Sequence, residues 1–165
     1  GSRTWRCIAG YGHAPEHMAL YDEQGGVLIS GDMVLPRIST NVSVYETEPE
    51  GDPLSLFLSS LDRYLALPAN TLVLPSHGEP FIGLHTRVAQ LKQHHAERLA
   101  ELIQACRNQP KTALDILPVL FKRKLDAHQL AFAMGEAIAH LNHLWHQQRL
   151  TRTVDAHHVH RFVAA

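Results

Sequence analysis

No stretch of this chain approaches the roughly 18 consecutive apolar residues that a membrane-spanning helix needs. No charged-then-apolar leader opens it either, so a soluble protein is expected. Cysteine is nearly absent. Cys7 and Cys106 lie far apart and form no CxxC pair, so no disulfide framework is expected and a reducing cytoplasm is the expected compartment. A net charge of one sign is missing as well, since 15 Lys/Arg against 16 Asp/Glu leave −1. There are no internal repeats and no low-complexity tracts. What is present is 45% hydrophobic and 19% charged residues in a chain of 165 residues and 18.5 kDa. That composition excludes collagen-like and acid-rich disordered chains, and the length suits one domain or two small ones with a real core.

The near-zero net charge conceals an asymmetry. Residues 1–84 carry 4 Lys/Arg and 10 Asp/Glu, a net of −6, whereas residues 85–165 carry 11 and 6, a net of +5. Histidine is skewed the same way, with 3 of 13 before residue 85 and 10 after it. Opposite signs suggest two modules, 1–84 and 85–165. A surplus of +5 is too small by itself to argue for nucleic-acid binding.

The first module reads as strands with one helix. Arg3–Ala9, His17–Tyr21, Val27–Ser30 and Thr71–Leu74 are the strand candidates, with Gly25-Gly26 supplying a hairpin turn and Thr71–Leu74 reading as a buried strand. Residues 33–51 show no period and read as a long loop. Asp52-Pro53 opens a helix with Leu54, Phe57, Leu58, Leu61 and Leu65 at helical spacing, the first four of them as core. The second module reads as helical. Thr86 is expected to cap a long helix with Val88, Leu91, His95, Leu99 and Leu102 on its apolar face. Thr112 with Asp115, and Asp126 with Gln129, have capping-box spacing and open a short helix disturbed by Pro118 and a longer one. Leu150–Val154 and Val159–Val163 then form a hairpin. This is the element order of a winged helix.

Three metal-capable side chains follow strand ends: His13 in GYGHAPEH, Asp32 in LISGDMVL and His77 in LVLPSHGEP. Strand ends on one sheet edge give ligands rigid support and a shared cleft, and imidazole with carboxylate suits zinc, iron or manganese. Spacing alone leaves loop histidines and a turn aspartate as the competing reading.

The motifs GHAPEH, SGD and, 45 residues after Asp32, LPSHG resemble the second half of the metallo-β-lactamase superfamily. The tail, with DILPVLF and DAHQLAFAMGEAIAHLNHLW, is similar to the winged-helix-like extension of the glyoxalase-II-like and endoribonuclease-like branch. The resemblance implies an α/β fold: the second half of an αββα sandwich over 1–84, then an all-α winged-helix-like domain over 85–165. It implies a dinuclear zinc hydrolase in which His13 binds one metal, Asp32 bridges both as the catalytic carboxylate, and His77 binds the other. A thioester or other small ester hydrolysed by metal-bound hydroxide is the first substrate class. Cleavage of RNA, or nucleic-acid binding by the winged helix, is the alternative. His17 is expected to support a ligand instead of being one.

Two features depart from the family. Glu16 stands where glycine is frequent, which adds a carboxylate beside the site. The superfamily's HxHxDH motif, which supplies two ligands to each metal, is absent: the only His-x-His, His158-Val159-His160, is followed by Arg161-Phe162. Catalytic zinc usually takes about three protein ligands. This chain alone is therefore expected to bind zinc weakly or not at all, to be inactive by itself, and to self-associate as a homo-oligomer over its uncovered sheet. His140, His143 and His146 recur every three residues and read as a solvated or interface face; His94 and His95 read as structural. Histidines 157, 158 and 160 read as exposed. The helix after Lys122-Arg123-Lys124 is alanine-rich with no Arg or Lys before Arg149, so a packing module is favoured over a DNA reader.

Overall fold

The computed structural model describes residues 2–165; Gly1, the first residue of the expected first module, lies outside the described residues. The contacts divide the chain into two units with interleaved segments. One comprises Gly1–Asn41 and Ser55–Gln93, the other Val42–Leu54 and His94–Ala165. The division of contacts thus falls inside a helix, between residues 93 and 94.

The first unit is built on a four-stranded sheet: β1 (Arg6–Gly10), β2 (His17–Asp22), β3 (Val27–Gly31) and β4 (Leu72–Pro75), in the order β1-β2-β3-β4. β1 begins three residues later than its sequence suggests. β2 runs antiparallel to β1 and β3, while β4 is parallel to β3. Consequently the ends of β1, β3 and β4 and the start of β2 share one edge. Alternation sends Ile8, Ala19, Tyr21, Leu28 and Val73 to a buried face. β4 alternates too, with Val73 buried and Leu72 exposed, so it is not the fully buried strand its run of apolar residues suggests. The opposite face is apolar as well. Register places Cys7, Leu20, Ile29 and Leu74 in one row across all four strands, flanked by Met18 and Leu72. Met18 is 54% and Ile29 39% exposed.

Helix α1 (Pro53–Asp62) buries Leu54, Phe57 and Leu61. It then tightens into a 3-10 turn over Arg63–Ala66. Three residues per turn in place of 3.6 bring Tyr64 inward and turn Leu65, which the helical spacing includes, outward to 43% exposure. Helix α2 (Leu84–Ala105) starts two residues before Thr86, directly after Gly83 at φ +107, and buries Leu84, Val88 and Leu91 in the first unit. Among the described residues no helix is long and apolar enough to cross a membrane.

The second unit holds the end of α2, then α3 (Ala113–Leu120), α4 (Ala127–His146) and the antiparallel hairpin β5 (Leu150–Val154) and β6 (His160–Ala164). Both capping boxes form. Asp115 N–H donates to Thr112 Oγ at 3.2 Å while Thr112 N–H donates to Asp115 Oδ2 at 2.9 Å; Asp126 and Gln129 make the same reciprocal pair. Pro118 sits inside α3 without ending it. The two-stranded sheet means that the expected all-α domain is a helical unit with a β-hairpin. Histidines 157, 158 and 160 are exposed, as read from the sequence.

Of the histidine stripe of α4, His146 is exposed, whereas His140 and His143 are only 1% and 5% exposed. The stripe seats the segment Val42–Leu54. Asn142 Nδ2 donates to the carbonyls of Pro49 and Gly51 at 3.0 and 3.1 Å, and His146 Nε2 donates to the Glu50 carbonyl at 2.7 Å. His143 Nδ1 meets the Asp52 carboxylate at 3.0 Å. His140 Nδ1 donates to the Glu136 carbonyl at 2.8 Å, and its Nε2 lies 3.2 Å from His95 Nδ1. These partners offset the cost of taking imidazoles out of water. Farther up the helix, Val44 N–H donates to the Gly135 carbonyl at 3.1 Å. A Cβ on Gly135 would stand only 2.8 Å from Ser43 Cβ. The two cysteines are free thiols, Cys7 exposed and Cys106 buried.

Candidate metal centre

His13, Asp32 and His77 come together at the shared sheet edge. The turn after β1 carries His13, the turn after β3 carries Asp32, and the turn after β4 carries His77. Gly31 makes this possible: at φ +54 it bends the chain where the β3–β4 register shifts, and a Cβ there would collide with the His17 ring. Gly78, at φ +85, likewise passes close to Pro36 just after His77.

The Asp32 carboxylate is the centre of the group. His13 Nε2 lies 3.5 Å from its Oδ2, and His77 Nε2 lies 3.4 Å from its Oδ1. His13 Nδ1 donates to the Asn41 carbonyl at 2.8 Å. A carbonyl can only accept, so that bond puts a proton on Nδ1 and turns Nε2, the nitrogen free to bind a metal, toward the carboxylate. Ser76 Oγ donates to Asp32 Oδ1 at 2.5 Å, Thr40 Oγ1 donates to the Asp32 carbonyl, and Asp32 N–H donates to His17 Nε2 at 3.3 Å. Burial first, and the neighbouring His13 second, hold the His17 pKa below its ordinary value, against the opposing pull of Asp32. A neutral imidazole is the form able to accept that bond. Sequence reasoning assigned no part to Thr40, Asn41 or Ser76; Glu16 is exposed on its turn.

Donor spacing tests whether these residues suit a metal. Two ligand atoms on one tetrahedral zinc, each about 2.0–2.1 Å from the ion, stand roughly 3.4 Å apart. Both histidine–carboxylate separations match that figure, and each histidine faces a different oxygen of Asp32. The residues therefore fit two half-sites flanking one carboxylate. Neither is complete: among the described residues, no three or more His, Cys, Asp and Glu side chains are grouped to hold an ion.

A family model described as metallo-β-lactamase superfamily matches residues 1–77, and one described as metallo-β-lactamase-like, C-terminal domain, matches residues 99–165. The probable metallo-hydrolase YqjP of Bacillus subtilis (strain 168) is 28% identical over 155 residues, covering 92% of this chain and 48% of that protein. Two crystal structures are similar over essentially the whole chain. One, a β-lactamase domain protein from Burkholderia ambifaria, is 57% identical with a TM-score of 0.97, covering 100% of this chain and 49% of that one. The other, a metallo-β-lactamase family protein from Thermus thermophilus, is 33% identical with a TM-score of 0.86, covering 99% and 50%. The chain spans about half the length of these relatives.

Proposed function

The chain belongs to the metallo-β-lactamase superfamily, and from that premise we propose that it is half of a dinuclear zinc hydrolase acting on a thioester or other small ester. The observation that carries this reading is the placement of His13 and His77 on opposite oxygens of one carboxylate. His13, Asp32 and His77 are the residues that would hold the ions, with Asp32 shared between them. The remaining ligands belong to residues outside this chain, in the half that its relatives possess and it does not span. When bound, such ions supply water activated near neutral pH and a polarised scissile bond. What this chain contributes is orientation. The Asn41 carbonyl fixes which nitrogen His13 presents, and the bonds to His17, Thr40 and Ser76 fix Asp32.

A second reading takes RNA as the substrate. It is favoured by the element order α2-α3-α4-β5-β6, which suits a winged helix, and by the exposure of Lys122, Arg123 and Lys124. One experiment separates the two. The full-length protein and its His77→Ala variant are loaded with zinc and assayed on a thioester panel and on single-stranded RNA. Thioester turnover that His77→Ala abolishes is the expected result. RNA cleavage abolished by the same change would replace the substrate and keep the centre. Full turnover by His77→Ala would refute the centre itself.

A further inference from the structure

We propose that Ser76 is a positioning residue whose hydroxyl sets the plane of the Asp32 carboxylate before any ion arrives; the inference rests on the reading of Asp32 as the shared ligand. Asp32 is held at three chemically distinct points. Its N–H donates to His17 Nε2 at 3.3 Å, its carbonyl accepts from Thr40 Oγ1, and its Oδ1 accepts from Ser76 Oγ at 2.5 Å. The first two bonds fix the backbone and leave both side-chain torsions free. Only the third acts on the carboxylate, and it acts on one oxygen. A bond to Oδ1 alone turns the group so that Oδ2 is directed at His13 while Oδ1 stays within 3.4 Å of His77.

Ser76 is itself tied to the same corner of the sheet. Its N–H donates to the Gly31 carbonyl at 3.1 Å, one residue before Asp32. Backbone bond and side-chain bond together close a ring between the turns that leave β3 and β4. Because those strands are parallel, both turns leave the same edge, and Ser76 reaches Asp32 with no intervening side chain. A hydroxyl on an ionised oxygen is a charge-assisted bond, stronger than a neutral one. Ser76 is also exposed and buries no apolar surface, so its loss should leave the fold intact.

The test compares the full-length protein with its Ser76→Ala and Ser76→Thr variants, the latter keeping the hydroxyl. NMR of metal-free protein reads the Asp32 carboxyl carbon. Titration with Zn²⁺ alone then reads the Nε2 nitrogens of His13 and His77. Ser76→Ala should move the carboxyl resonance and weaken Zn²⁺ binding by about 10–100-fold. Ser76→Thr should restore both, with all three melting temperatures alike. A Ser76→Ala chain with an unmoved carboxyl resonance and undiminished Zn²⁺ affinity overturns the proposal. A full-length wild-type protein whose two histidines ignore Zn²⁺ overturns the reading of the centre instead, and the metal-free carboxyl signal then decides the role of Ser76 by itself.

Discussion

Lowering the pH from 8 to 5 should destabilise the second unit by an amount that two buried imidazoles set. Unfolded, both titrate near 6.5. Folded, burial above all, with the charges of His140, His94 and His143, holds His95 down to about 3. Burial holds His140 down to about 4, helped by His143, His94 and Arg98 and opposed by its bond to the Glu136 carbonyl. Both folded values are depressed, so below pH 6.5 the unfolded chain binds protons that the folded chain refuses. Stability is therefore complete above about 6.5 and falls as the pH drops toward the folded values. At pH 5 each refused proton costs about 2 kcal/mol, or about 4 kcal/mol for the pair. For a chain of this size that corresponds to roughly 10 °C in melting temperature. His17, lowered by burial and by His13, works in the same direction in the first unit. Glu50, Asp115 and Asp155 have lowered values, so their contributions fade only as the pH falls below the carboxylate range, outside this window. Urea unfolding followed by tryptophan fluorescence, in EDTA at pH 8, 6.5 and 5, measures the loss. A His95→Gln/His140→Gln double variant should lose most of the slope. Stability that is flat from pH 8 to 5, or an undiminished slope in the double variant, would refute the account.

Two further outcomes are expected. Gly135→Ala, which in an open helix gains about 1 kcal/mol, should instead lower the melting temperature because its Cβ meets Ser43, and adding Ser43→Gly should recover the loss. If the double variant melts no higher than Gly135→Ala alone, the close approach is not the cause. The apolar row Cys7, Leu20, Ile29 and Leu74 should make the chain self-associate, and Ile29→Lys should dissolve the association. Monomers of the unaltered chain at high concentration, seen by light scattering, would contradict this.

The parts of this structure that were legible in the sequence are the local ones. Each capping box spans four residues, and the hairpin glycines lie beside the strands they join, so short-range chemistry determines them. Strand ends followed at once by His13, Asp32 and His77 were visible for the same reason. The burial of His143 was not, because its partner Asp52 lies 91 residues away and an i, i+3 histidine stripe looks alike wet or dry. The outward turn of Leu65 was hidden because a 3-10 turn leaves no mark in a 3.6-residue pattern. The division inside α2 was hidden because Val88, Leu91, His95 and Leu99 keep one unbroken period across it. Asn41 acts through its carbonyl, which every residue has, so no residue type advertises it.

The interleaving of the two units has a consequence for synthesis. The chain crosses between them at 41/42, 54/55 and 93/94, so no single cut separates one unit from the other. Truncation after residue 84 would strip Val88 and Leu91 from the first unit and strand Val42–Leu54 without the helix that seats it. On the ribosome the same segment emerges early. Asp52 must wait for His143, 91 residues later, which at about 5–20 residues per second is roughly 5–20 s. Throughout that interval the first two residues of α1, Pro53 and Leu54, lack the partners of their own unit. The first unit can close as soon as Gln93 has appeared. The first unit should thus form before the second, in which the histidine-lined helix closes over a segment made long before it.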